Sequence, residues 1–541
     1  MTTMRSTILW IAIAAASLQA RGAETRTVAL IPRPVKMEVL PGEFVLAPGT
    51  TILVSRDART EGEYLAQLLR AATGLRLEVK PLPQQKEHAN CVVLRTVSGR
   101  KDLGAEGYAL KVLNDRVLVD APAACGVFYA CQTLRQLLPA AIEARAEVRG
   151  VKWAVPRVQI EDRPRLPWRG LMLDTARCYY SMDWLKRYID LLAYYKMNRF
   201  HWHLTERVGW RIEIKRYPQL TRHGIHTTDP DKKPLPPGRT VREYYTQEEV
   251  RRIVAYAQSR HVMVIPEIEM PGHSGAAVGT YPDKMRCVAD RWSRRSGGLV
   301  GRIMCAGNEG TFEFIEGVLS EVAELFPAPW IHIGGDEPHT RVWAECTRCR
   351  QRMKAEGLNG AGELYNYFMK RVEKIVASKG KRMYGWEEIG RAGLSKGATI
   401  QSWHGTGPGL AAANRGQDVV MSPASHCYLD ASNGRTPVSR CYSFEPVPAD
   451  LAPDKARHVL GLEAPMWMDQ WRNWAQYRPR TGTLARVDSQ LFPRLIALAE
   501  VGWSPKEARD WADFRARLAS HGERLRRMGV SYYRDRSVWD K

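Results

Sequence analysis

RGLMLDTARCYYSMDWLKRYIDLLAYYKMNRFHWHL, residues 169–204, sets a short apolar run on either side of an amphipathic stretch. The runs at 170–174 and 199–204 have the length and boundaries of strands, and 184–195 carries apolar residues at helical spacing. Strand, helix, strand in that order is a parallel βαβ unit. The same alternation continues downstream. Strands are expected at 262–268, 330–334, 382–386, 399–403, 418–422 and 459–463, and helices at 247–259, 312–325, 364–378 and 410–414. Eight strands with interleaved helices predict one closed α/β barrel of the (β/α)8, or TIM, type rather than two doubly wound domains.

The chain has 541 residues, more than this barrel needs. Residues 24–160 predict a small α+β accessory domain, with strands at 31–40, 51–54, 91–95 and 116–119 and helices at 63–72 and 127–138. The Pro- and charge-rich stretch IEDRPRLPW, 160–168, reads as the entry to the barrel, which is expected to span 161–505. A further helix at 505–528 makes 506–541 a C-terminal helical segment. Residues 1–23 hold one early charge, Arg5, then ILWIAIAAA at 8–16 and small residues, the pattern of a secretory signal peptide. No later run reaches the roughly 18 apolar residues of a membrane span. The expected product is exported, periplasmic or extracellular, with no integral membrane segment. Composition, 44% hydrophobic and 26% charged, is globular and excludes a disordered chain. Ten cysteines in an exported chain allow disulfides. Cys346-Thr347-Arg348-Cys349 is a single CxxC without a second pair or a His pair nearby, so it reads as a local disulfide or free thiols in preference to metal ligands.

In such a barrel chemistry gathers where the strands end. The first strand delivers Asp174 and Arg177, the second His201, His203 and Glu206, the third Glu267, Glu269 and His273. The fourth ends in Asp336-Glu337, the fifth in Trp386, Glu387 and Glu388, the sixth in Trp403 and His404. The seventh leads to His426, Tyr428 and Asp430, and the eighth to Glu463, Trp467 and Asp469. Carboxylates among tryptophans at one rim suggest glycoside hydrolysis. Asp336 and Glu337 are adjacent, so they point in different directions and cannot easily flank one bond as acid and nucleophile. One is better suited as the acid, the other as the partner of a group on the substrate.

IHIGGDEPHT (331–340) resembles the active-site signature of family 20 glycoside hydrolases, the β-N-acetylhexosaminidases. RGLMLDTARCY (169–179), NRFHWHLTERVGWRIEIKRYPQLT (198–221), PEIEMPGHS (266–274), the Trp386 and Trp403 segments, Tyr428-Leu429-Asp430 and ALAEVGWSP (497–505) are similar to further motifs of that family, in its order. The resemblance covers about residues 165–505, and the preceding domain looks like the family's accessory domain. It implies a retaining, exo-acting, substrate-assisted mechanism, in which the sugar's 2-acetamido oxygen attacks C1 to form an oxazolinium ion. It makes Glu337 the general acid and then the base, its pKa raised by the like charge of Asp336. It makes Asp336 the acceptor of the acetamido N–H, Tyr428 a donor to the acetamido oxygen, and His273 with Asp174 a hydrogen-bonded chain behind the acid. Arg177 and Asp430 match hydroxyl-binding positions, and Trp386, Trp403 and Trp467 the walls of the sugar pocket. No cofactor and no metal are implied, and the partner is a glycan with a terminal β-linked GlcNAc or GalNAc.

The chain departs from the family pattern at Glu206 and Glu269, where Asp is common, and at Trp467-Met468-Asp469, where Trp-x-Glu is common. Each change moves a carboxylate by one methylene, about 1.5 Å. Those at Glu206 and Glu269 suit a pair that compensates within one supporting network. Asp469 bears on binding of the sugar's outer hydroxyls. The net charge of +22, about +20 after loss of Arg5 and Arg21, raises nucleic acid as a partner. The basic segments RWSRR (291–295) and RLRR (524–527) are too short to favour it. The charge fits better with an anionic polymer or an acidic cell surface. A catalytically weak glycan-binding module on the same barrel is the alternative, and the presence of Glu337 argues against it.

Overall fold

The structure is a computed structural model that describes residues 28–83, 88–223, 243–288, 303–468 and 482–540. The expected signal peptide and Asp469 lie outside the described residues.

Residues 36–162 build a seven-stranded sheet. From edge to edge it runs Lys36–Val45, Ala154–Asp162, Tyr108–Val112, Arg116–Ala121, Cys91–Thr96, Thr51–Val54 and Glu78–Pro81. Helices Arg59–Thr73 and Ala124–Leu137 pack on it. The barrel follows and is closed. Its strands are Trp168–Asp174, Arg199–His203, Met263–Glu267, Trp330–His332, Arg382–Trp386, Thr399–Ser402, Val419–Met421 and Val459–Met466. Every neighbouring pair is parallel, and the eighth closes on the first through Gly461 opposite Trp168. All eight expected strands are present. Helices cover them outside and side chains fill them inside, so nearly every residue is buried and the strands read as apolar runs. The stretch expected as the entry to the barrel, 160–168, holds a five-residue connection, 163–167, between two strands. Residues 160–162 complete Ala154–Asp162 and Trp168 begins the barrel, because both pair with neighbours already in place.

The barrel interior is polar as well as packed. His201 Nδ1 lies 2.7 Å from Glu463 Oε1 and its Nε2 3.0 Å from Glu267 Oε2. His332 Nδ1 lies 2.8 Å from Glu267 Oε1, and the Trp386 and Trp168 indoles donate to Glu267 and Glu463. Burial lowers the His201 pKa, but Glu463 and Glu267 outweigh it and push it up to about 9. This charged layer is the floor on which the mouth is built.

Helix Trp511–Arg527 fastens the accessory domain to the barrel. Arg517 donates at 2.7 Å to each carboxylate oxygen of Glu500, in the buried helix Arg494–Trp503, and at 2.7 Å to the Leu30 carbonyl. His521 reaches the Ala29 carbonyl at 2.8 Å, and Arg524 holds Glu143 and the Gln136 carbonyl. At the seam, Asp162 accepts from Trp503, Lys196 and Tyr108.

The cysteines match one of the two expected readings, free thiols, but their grouping differs. All ten are free, and Cys346 and Cys349 are not isolated. Folding brings Cys287 and Cys305, far away in sequence, to within 4.8 Å of both. A short-range spacing search has no access to such a cluster.

Candidate active site

At the mouth, alternating carboxylates and cations run from the first strand to the fourth. Asp174 ends the first strand with one oxygen accepting the Ala176 and Arg177 N–H groups, at 3.1 and 3.0 Å. Its other oxygen takes Arg177 Nη1 at 2.8 Å and the Met468 N–H at 3.1 Å. Arg177 passes on to Glu206, with Nη2 2.9 Å from Oε2. Glu206 holds His273 Nδ1 at 2.9 Å, which aims Nε2 at Asp336, 3.4 Å away, and Glu337, 3.5 Å away. The chain behind the acid therefore runs through Glu206, and Asp174, expected with His273 in that chain, joins it through Arg177. Asp174 is occupied by Arg177 and His203, and the longer Glu206 side chain reaches the imidazole.

Glu269 joins the same group, with Oε1 3.2 Å from His203 Nε2. Burial and the charges of Asp336, Glu267 and Glu206 push its carboxyl well above the usual range. It lies under the turn that presents Asp336. A Cβ on Gly334, whose φ is +67°, would sit 1.7 Å from Glu269 Oε2. Glycine is required there on both counts. Two non-glycine residues of the mouth also have positive φ, Glu337 at +43° and His273 at +48°. Such conformations persist only where surroundings hold them, and they gather at functional sites.

The two adjacent carboxylates have opposite surroundings. Asp336 is nearly enclosed, its side chain 13% exposed, while that of Glu337 is 59% exposed. Burial, reinforced by Glu267 and Glu206, raises Asp336 against the lowering pull of His273. Glu337 is lowered, chiefly by its hydrogen bond to His273. This reverses the expectation that Asp336 raises Glu337: the imidazolium is the stronger neighbour. Burial disfavours charge on His273, but Asp336 and Glu206 hold its pKa well above the usual range. His273, Asp336 and Glu337 lie close enough together to suggest a metal set. His273 Nδ1 is held by Glu206, and the raised pKa of the imidazole suits it as a donor between carboxylates.

Asp336 Oδ1 is buried and has no hydrogen-bond partner among the described residues. A buried carboxylate oxygen left unpaired is costly, so the site is shaped for a donor that arrives with a ligand.

Aromatic side chains wall the other side. Trp386, wholly buried, has its rings 5.6 Å from those of Trp467, and the Arg177 guanidinium lies 5.1 Å over Trp467. Trp403 stacks on Tyr428 at 6.2 Å and 20° and donates to Glu388 at 3.3 Å. Burial raises the Tyr428 phenol well above its usual value, so it remains a donor. Burial and Asp336 push Glu388 up to about 7. Asp430 is buried beside Tyr428. Arg494 fixes this loop by donating to the Leu429 and Ala431 carbonyls at 2.6 and 2.9 Å.

The family 20 catalytic-domain model of the glycosyl hydrolases matches residues 166–506, and the model of that family's domain 2 matches residues 27–163. The chain belongs to glycoside hydrolase family 20. A β-hexosaminidase of Porphyromonas gingivalis is 40% identical over 518 residues, covering 93% of this chain but 64% of that protein, so the chain spans under two thirds of that relative's length. The solved structure of the family 20 β-N-acetylhexosaminidase of Streptomyces coelicolor is 35% identical with a TM-score of 0.77, covering 96% of this chain and all of that one. A mutant Streptomyces plicatus β-hexosaminidase solved with its product GlcNAc is 34% identical with a TM-score of 0.77, covering 95% and 97%.

Within this family 20 barrel the structure gathers Asp174, Arg177, His273, Asp336, Glu337, Trp386, Trp403, Tyr428, Asp430 and Trp467 at one mouth. His201 and His203 both lie on the second strand. They are two residues apart and both point inward, bonded to Glu463 and Asp174. Sequence reasoning placed Glu388 at the end of the fifth strand without giving it a role, and it left Arg494 out of the site. Glu388, two residues after Trp386, was a visible signal, whereas Arg494 had none.

Proposed function

We propose that the chain is an exo-acting, retaining β-N-acetylhexosaminidase that releases terminal β-linked GlcNAc or GalNAc. The unpaired Asp336 Oδ1 carries the reading. A 2-acetamido N–H is a donor of the right kind for it, and Tyr428, on the stacked aromatic wall, supplies the hydroxyl for the acetamido oxygen. With both ends of the amide held, its carbonyl oxygen attacks C1, the bond to the leaving oxygen breaks, and an oxazolinium ion forms. Asp336 balances the positive charge that develops on the nitrogen.

The proton for the leaving oxygen is shared between Glu337 and His273. In the free enzyme it rests on His273, which is raised while Glu337 is lowered. A bound sugar covers the exposed Glu337 and strips its water, which favours the neutral carboxyl and draws the proton across. After departure of the aglycone, Glu337 takes a proton from water as that water attacks C1. The outcome is retention at C1, and no step calls on a metal. Arg177 and Asp430 bind hydroxyls, with Asp469 completing the set, and Trp386, Trp403 and Trp467 enclose the ring. We also assign the protein to an exported compartment, on the pattern of residues 1–23.

Hydrolysis of aryl N-acetyl-β-glucosaminide with retained anomeric configuration, followed by NMR, tests the proposal. Inversion, or binding of a thiazoline analogue without turnover, would overturn it. A panel that adds aryl GalNAc, 6-sulfo-GlcNAc and chitin oligosaccharides ranks the substrates.

A further inference from the structure

We propose that Cys287, Cys305, Cys346 and Cys349 form a closed, structural site for a soft divalent cation, zinc. Cys346 sits at the N-cap of helix Thr347–Ala355 and Cys349 in its first turn. Cys287 follows helix Pro282–Met285, and Cys305 precedes helix Glu309–Leu325.

The spacing of the sulfurs favours an ion over bridges. Cys305 Sγ lies 3.6 Å from Cys349 Sγ and 3.8 Å from Cys346 Sγ, Cys287 Sγ lies 4.0 Å from Cys349 Sγ, and all four lie within 4.8 Å of one another. A tetrahedron of thiolates with metal–sulfur bonds of about 2.3 Å has edges of about 3.8 Å. Two disulfides would instead sort the sulfurs into couples near 2.05 Å. Here Cys305 is shared almost equally between Cys346 and Cys349, and no couple stands apart. The backbone is shaped to match. The Val288 N–H points at Cys346 Sγ at 3.5 Å, the kind of donor that supports a metal-bound thiolate. A Cβ on Gly307 would meet the Arg348 carbonyl at 2.3 Å, so glycine lets the Cys305 turn lie against the CxxC turn. Arg286, Arg348 and Arg350 adjoin the ligands in sequence.

On binding, each thiol gives its proton to solvent and its sulfur to the ion, with no change of oxidation state. All four ligands come from the chain, so the ion has no open position and takes no part in the reaction. It joins the loop after the third strand, which carries His273, to the loop after the fourth, which carries Asp336 and Glu337.

Metal analysis of the purified full-length chain should find about one zinc ion per chain. The intact mass of the denatured wild-type chain should show all four of these cysteines as thiols. Cys305→Ser should lose the metal and Cys91→Ser, outside the cluster, should keep it. Cobalt exchanged into the wild type should show the thiolate charge-transfer and tetrahedral d–d bands. A mass lowered by two hydrogens per disulfide at these positions, or four thiols with no metal, would overturn the proposal even if Cys305→Ser fails to fold.

Discussion

Asp336 and Glu337 show how far one residue's environment can separate chemically similar neighbours. Burial lifts the first and His273 lowers the second, although the two are joined by a peptide bond. Asp336→Asn keeps the shape but loses the charge facing the acetamido nitrogen. We expect kcat on aryl N-acetyl-β-glucosaminide to fall about 10²–10³-fold and thiazoline binding to weaken. An unchanged kcat would remove Asp336 from the mechanism. The His273 proton gives a pH prediction. Its raised pKa keeps the His273–Glu337 pair charged with one proton above the ordinary imidazole value, and activity falls as pH rises through it. Glu206→Gln removes one of the carboxylates that hold the proton. The basic limb of kcat/KM should then move to lower pH by roughly one unit, while a basic limb that stays in place would show that Glu206 does not tune the acid. The carboxylate pair and Tyr428 were legible as sequence, because each lies in a short motif. The route of the proton was not, since Glu206, His273 and Glu337 meet only once three strands stand side by side.

At the scale of elements, the barrel strands were legible because strands buried on both faces appear as uninterrupted apolar runs. Two of the elements that escaped lack that signature. Glu78–Pro81 is an exposed edge strand with little apolar content, and helix Arg494–Trp503 is buried on every side, so its sequence has no amphipathic period. The expected strand at 330–334 ends at His332, because the chain turns at Gly334 to pass over Glu269. That turn is a point of failure. Gly334→Ala drives a methyl into Glu269 and imposes an unfavourable φ, and should cost about 2–4 kcal/mol in urea unfolding together with most of the activity. Wild-type stability in this variant would mean that Glu269 can leave its place beneath the turn.

The whole molecule depends on one helix. Arg517 is buried against Glu500 and the Leu30 carbonyl. Arg517→Met would leave the Glu500 carboxylate buried without its cation and should lower stability by about 3–5 kcal/mol, measured by denaturant midpoint. An unchanged midpoint would mean that the two domains hold together without the contact. The two-domain organisation was legible from the change of pattern at residue 169. The seam was not, since its partners Leu30, Asp162 and the pair Glu500 and Arg517 come from three distant parts of the chain. That seam has a consequence for biosynthesis. A ribosome releases Leu30 hundreds of residues before Arg517, so the segment at Ala29 and Leu30 waits for its clasp until the last helix has emerged.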